Sequence, residues 1–247
     1  MVTINISPDV ATLGARAGAL GAETIRAAQD RRGEACIVLA TGTSQLATLD
    51  RLATEPGIDW SRVTAFHLDE YIGLPRTHAA GFRRFLQERF LSRVEGVRFV
   101  PIEPEREPVS EIARLQALIG AAPIDLCLAG LGENCHLAFN DPPADFETEA
   151  AFLVVELDEA CRRQQLGEGW FPALEAVPHR AISMSVRQIL RSTRIVLSVP
   201  ETRKAQAVHD MMAGAVTPLH PASILREHPD TTLFLDAASS ALLSGAQ

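Results

Sequence analysis

The stretch Ile124–Pro143, IDLCLAGLGENCHLAFNDPP, constrains this chain more than any other. It begins with an apolar run, Ile124–Ala129, of the kind shown by a strand buried on both faces of a parallel sheet. The run breaks at the flexible turn Gly130-Leu131-Gly132, which delivers Asn134, His136, Asn140 and Asp141. Open α/β sheets build their active sites at the carboxyl ends of their strands. A histidine with a carboxylate close by is the simplest acid–base pair that works near neutral pH. An ordinary polar turn would use some of the same residues, so the stretch by itself names a place rather than a reaction.

The rest of the chain repeats the same logic. Residues 8–32 carry Val10, Leu13, Ala17, Leu20, Ile25 and Ala28 at helical spacing, closed by Gly33. Glu34–Ala40 reads as a strand, followed by the turn Thr41-Gly42-Thr43-Ser44 and helical pattern over Gln45–Ala53. Val63–Leu68 is a second buried strand that ends at once in Asp69-Glu70-Tyr71. Helices are expected around Ala79–Phe90, over Pro108–Gly120, from Lys204 through Met212 and at Pro221–His228. Strands are expected at Val97–Pro101, Ala150–Leu157, Ala181–Val186, Arg194–Pro200 and Thr231–Leu235. This alternation predicts an α/β fold: a single domain over 1–247, with an open, mostly parallel sheet carrying helices on both faces, Rossmann-like but modified.

A net charge of −8 argues against nucleic acid as a partner, while leaving room for a small anionic substrate bound by local positive charge. No apolar run is long enough to span a bilayer and no secretory leader is visible, which places the expectation in the cytoplasm. The cysteines Cys36, Cys127, Cys135 and Cys161 form no C-x-x-C pair, so neither a disulfide framework nor a zinc site is indicated. Cys135, inside the polar loop, is either packing filler or a thiol in the site.

Four further features point to a site at the strand ends, three of them suited to an anion. Thr41–Ser44 joins a strand to a helix start and points N–H groups and hydroxyls at one spot, as phosphate loops and plain N-caps both do. It matches neither the Walker pattern nor the dinucleotide fingerprint. Asp69 and Glu70 close an apolar strand, where acids are costly to bury without partners or purpose. Lys204 is the only lysine among 23 Lys plus Arg, and it sits at a helix start, where the dipole disfavours cations unless an anion is near. Adjacent Arg162 and Arg163 can clamp a phosphate or simply be solvated.

The spelling of two segments then matters. Phe66–Pro75, FHLDEYIGLP, resembles the F-x-M-D-E-Y-x-G-L-P segment of glucosamine-6-phosphate deaminases, and Gly130–Pro142, GLGENCHLAFNDP, resembles their G-x-G-x-D-G-H-x-A-F-N-E-P segment. The resemblance covers essentially the whole chain in order. It implies an enzyme that opens the ring of an amino-sugar 6-phosphate, moves a proton between C2 and C1, and hydrolyses the imine to a ketose phosphate and ammonia, with no metal or organic cofactor. By this resemblance Asp69 takes and returns the proton, His136 assists ring opening and Asp141 orients the imidazole. Thr41, Gly42, Thr43, Ser44 and Lys204 hold the phosphate, with Arg162 or Arg163 as an added clamp. Glu70 and Gly132 contact substrate. A homo-oligomer stays open.

Three departures stand out. Asn134 replaces the family acid before the histidine, Cys135 replaces a glycine, and Asp141 is one methylene shorter than the family glutamate. Asn134 can orient His136 but cannot balance an imidazolium, which leaves open slower ring opening or another 2-amino-sugar phosphate as substrate. The related 6-phosphogluconolactonase family shares the G-x-D-G-H core but not the D-E-Y-x-G-L-P segment. It supplies the second reading, a lactone hydrolase. A sugar-phosphate-binding protein without turnover is the third.

Overall fold

A computed structural model describes residues 2–243, so the expected single domain over 1–247 runs past the described residues at both ends. The first half contains β1 (Thr3–Ser7), α1 (Val10–Arg32), β2 (Ala35–Leu39), α2 (Leu46–Thr54), β3 (Val63–His67), β4 (Asp69–Tyr71), α3 (Phe82–Arg89), β5 (Arg98–Phe99) and α4 (Pro108–Ile119). The second half contains β6 (Leu126–Ala129), β7 (Phe152–Glu156), α5 (Glu159–Gly167), β8 (Arg180–Met184), α6 (Val186–Leu190), β9 (Arg194–Val199), α7 (Ala205–Met212) and β10 (Thr231–Asp236).

Seven strands form a parallel sheet in the order β1-β10-β9-β6-β2-β3-β5. Its centre, β2 and β6, is buried at every residue, because helices cover both faces and leave no solvent side for polar alternation. From β2 the chain winds one way through β3 and β5. From β6 it winds the other way through β9 and β10. Beyond the carboxyl ends of β2 and β6 there is therefore a crevice that no crossover helix fills, the usual ligand position in such sheets.

Two features differ from the sequence expectation. β1 pairs in parallel with β10 as an edge strand that the sequence reading passed over. Asp69–Tyr71, Phe152–Glu156 and Arg180–Met184 leave the main sheet and form a three-stranded antiparallel sheet, β4-β8-β7, instead of extending it. β7 is only partly buried along most of its length, which suits a small sheet with one covered face. This second sheet places Asp69 at the mouth of the crevice, opposite Ser183 of β8.

The glycines of α1 have a packing reason. A Cβ on Gly14 would lie 2.3 Å from the Ala47 Cβ, so α1 and α2 approach more closely than side chains would allow.

Candidate active site

An open cleft with about 590 Å³ of empty space lies over the carboxyl ends of the central strands. The turn after β2 contributes Thr41, Gly42 and Ser44; β4 contributes Asp69; the turn after β6 contributes Gly130–Gly132 and His136; the turn after β9 contributes Arg203 and Lys204.

The loop after β6 is fixed by its own backbone and by the second sheet. The Gly132 amide donates to the His136 carbonyl (3.0 Å), and the Cys135 amide donates to the Gly132 carbonyl (3.1 Å). Asn140 donates its side-chain amide to the carbonyls of Leu137 (2.7 Å) and Met184 (2.8 Å), so it pins the loop to β8 rather than facing substrate. Cys135 occupies the left-handed region at φ 71, where glycine is at ease and other residues are strained. Its buried side chain packs in the core, which identifies it as packing filler. Gly132 lies directly against the imidazole: a Cβ there would stand 2.3 Å from Nε2 of His136. Only glycine lets the ring occupy that place.

His136 is buried, and its Nδ1 lies 2.9 Å from an Asp141 oxygen. Asn134 braces both partners. Its amide donates to the same Asp141 oxygen (3.1 Å), and its carbonyl oxygen accepts from the His136 amide (3.2 Å). Burial pushes the Asp141 carboxyl up, but the hydrogen bond and charge of His136 and the Asn134 bond carry it below its ordinary value. With Nδ1 engaged by Asp141, Nε2 is the ring nitrogen left without a partner among the described residues.

Asp69 is buried, and among the described residues no donor reaches its carboxylate. Burial, and then the neighbouring charge of Glu70, push it well above the usual carboxylate range. Glu70 itself turns away from the cleft, correcting its expected contact with substrate. It accepts from the backbone amides of Phe82 (3.1 Å) and Arg83 (2.8 Å) at the start of α3, and from the Arg83 guanidinium (3.1 Å). The buried acid that looked functional in sequence is a helix anchor.

At the other end, Lys204 is 3% exposed, and among the described residues its ammonium has no hydrogen-bond or ion-pair partner. Burial, and then Arg203, lower it to about 8, although Glu133, Glu168 and Glu201 oppose the shift. Arg203, which sequence reasoning missed, lies beside it and pairs with Glu133 (2.9 Å) and Glu201 (2.7 Å). The adjacent lysine was the only signal that could have found it. The turns carrying these groups share one backbone shape: Gly42 has φ 93 and ψ 166, and Glu201 has φ 80 and ψ 144.

The arginine pair is a second correction. Arg162 is buried and donates to the backbone carbonyls of Leu174 (2.6 Å) and Val177 (3.1 Å), tying down the loop after α5. Arg163 is exposed and pairs with Glu159 one helical turn away. Thr43 and Arg163 line an adjoining depression that shares Gln164, Glu168 and Arg203 with the cleft, and neither is among the residues lining the cleft beside Asp69 and His136. Gln164, Gln165 and Glu168, near the end of α5, do line the cleft and were not anticipated.

Among the described residues no helix is long and apolar enough to cross a membrane. A sequence profile of the family described as glucosamine-6-phosphate isomerases/6-phosphogluconolactonase matches residues 8–234. Glucosamine-6-phosphate deaminase from Exiguobacterium sibiricum is 37% identical over 209 residues, covering 84% of this chain and 81% of that protein. The enzyme of the same name from Pseudarthrobacter chlorophenolicus is 32% identical, covering 92% and 88% respectively. Among solved structures, a monomeric glucosamine-6-phosphate deaminase superposes with a TM-score of 0.90 at 26% identity, covering 98% of this chain and 100% of that one. A 6-phosphogluconolactonase from Shewanella baltica shares the fold with a TM-score of 0.80 at 19% identity, covering 96% and 98%. The chain belongs to the glucosamine-6-phosphate isomerase/6-phosphogluconolactonase family.

Proposed function

We propose that the protein converts glucosamine 6-phosphate to fructose 6-phosphate and ammonia. The observation that carries this reading is the buried Asp69 carboxylate in one cleft with the His136–Asp141 pair and Lys204, with no donor to Asp69 and no partner for the Lys204 ammonium among the described residues. The identity to curated deaminases of 32–37% over most of the chain supports the same reaction. Lactonases contribute fold likeness alone.

The chemistry follows from the charges. Lys204, Arg203 and the turn Thr41-Gly42-Ser44 receive the 6-phosphate, which fixes the sugar relative to the catalytic groups; such orientation is a large rate term. The free Nε2 of His136 accepts the anomeric hydroxyl proton and returns a proton to the ring oxygen, opening the pyranose. Asp141 steadies the transient imidazolium. Asp69, made more basic by burial, takes the C2 proton and delivers it to C1 from the same face. The resulting C2 imine is hydrolysed by water, releasing ammonia.

We assign the protein to the cytoplasm, in keeping with four free cysteines that are all buried. We treat the whole chain, 1–247, as one domain.

The test is ammonia release from glucosamine 6-phosphate in deuterated water, with deuterium appearing at C1 of the product. Asp69→Asn should abolish both signals. Normal turnover by that variant overturns the assignment. Rapid proton release from 6-phosphogluconolactone without deamination would favour hydrolysis instead.

A further inference from the structure

The loop after β6 and the first turn of α5 bring together three side chains that the proposed reaction uses only in part. The potential ligand atoms of His136, Asp141 and Cys161 all lie within 4.8 Å of one another. We propose that these three residues form an inhibitory zinc site beside the cleft.

Three observations support it. The donors are one imidazole nitrogen, one carboxylate oxygen and one sulfur, a set that favours Zn²⁺ over the oxygen-seeking Mg²⁺ and Ca²⁺. The spacing is close to that of a tetrahedral site, whose bonds of about 2.0–2.3 Å put neighbouring donors roughly 3.5 Å apart, so small side-chain movements suffice. His136 borders the cleft, so the three donors stand next to open space.

Binding is a proton exchange. As the sulfur–zinc bond forms, the thiol gives its proton to solvent. As Nδ1 of His136 takes the metal, its proton is lost from that nitrogen and the neutral ring carries one on Nε2. The bond to Asp141 is broken and the free base is used up, so zinc and turnover exclude each other. That inhibitory consequence rests on the proposed function; the metal site itself does not.

The experiment uses the full chain, treated with chelator and titrated with Co²⁺. One equivalent should produce the near-ultraviolet thiolate-to-cobalt band and the visible bands of a tetrahedral ion, and Zn²⁺ should displace both. Cys161→Ser and Cys161→Ala should each lose the near-ultraviolet band with unchanged circular dichroism, while Cys36→Ser keeps it. No band in the wild-type protein, or a band that survives in both folded Cys161 variants, overturns the site. Zinc should suppress ammonia release, and chelator should restore it. The Cys161 variants should need at least about 10-fold more zinc for the same effect. A cobalt band accompanied by full activity in saturating zinc overturns the inhibitory role. A band on a protein that never releases ammonia leaves the metal site standing and removes the deaminase reading.

Discussion

Replacing Gly132 by alanine should disable the enzyme without unfolding it. The added Cβ would lie 2.3 Å from Nε2 and Cδ2 of His136 and 2.4 Å from Cε1. Carbon atoms settle at about 3.5–4.0 Å, so the ring must retreat by at least about 1 Å. It cannot do so and keep its 2.9 Å bond to Asp141. The open side of the ring is the cleft, so the imidazole swings into space rather than into packed core. A misplacement of about 1 Å costs on the order of 100-fold in rate, or about 2.7 kcal/mol of barrier. The expected result is therefore a loss of about 100-fold in kcat/KM for glucosamine 6-phosphate, measured by a coupled ammonia assay, with a Tm shift of only a few degrees. A variant that retains activity within about threefold of wild type would refute the claim that the ring's position over Gly132 matters to turnover. A variant that unfolds would show that the ring has nowhere to go.

As the proposed base, Asp69 works only when deprotonated, and burial raises its pKa. Activity should therefore climb with pH through a value well above the ordinary carboxylate pKa of about 4. Measuring the residual rate of His136→Gln removes the imidazole from the profile, and an acid limb near 4 there counts against the buried base. Lys204, lowered to about 8, is charged below that pH and neutral above it, so KM should rise as pH passes 8 while Lys204→Arg flattens the rise. A wild-type KM insensitive to pH in that region speaks against a phosphate contact. Arg163→Ala should change neither KM nor stability beyond about 0.5 kcal/mol, whereas Arg162→Ala leaves buried carbonyls unpaired and should cost about 1–3 kcal/mol in chemical denaturation. Equal effects of the two substitutions would contradict the assigned contacts.

The central strands were legible because burial on both faces writes itself as a continuous apolar run, as in EACIVLA and IDLCLA. β4 was not, because a three-residue strand spelled Asp-Glu-Tyr owes its existence to pairing with β8, more than a hundred residues away in sequence. β1 was passed over for a related reason. Its Thr-Ile-Asn-Ile-Ser alternation is short, and both isoleucines are exposed at the sheet edge. The arginine pair misled because neighbours on a helix point about 100° apart, so Arg162 turns inward and Arg163 outward. For Glu70 the argument that a buried acid needs partners was sound, but the partners are the first amides of α3 and Arg83. The approach of Cys161 to Asp141 was invisible because the two arrive on different elements, with no ligand spacing along the chain.

The backbone of Glu201 sits in a region that almost only glycine visits, at a cost on the order of 1–3 kcal/mol. Its amide donates to Asp236 (3.1 Å) and its carboxylate accepts from Arg203 (2.7 Å), so β10 and its own turn hold it there. The turn that ends in Lys204 is thus shaped by the sheet before any guest arrives. In the reaction proposed above, the substrate phosphate would meet a finished seat, with little of its binding energy going into ordering the host.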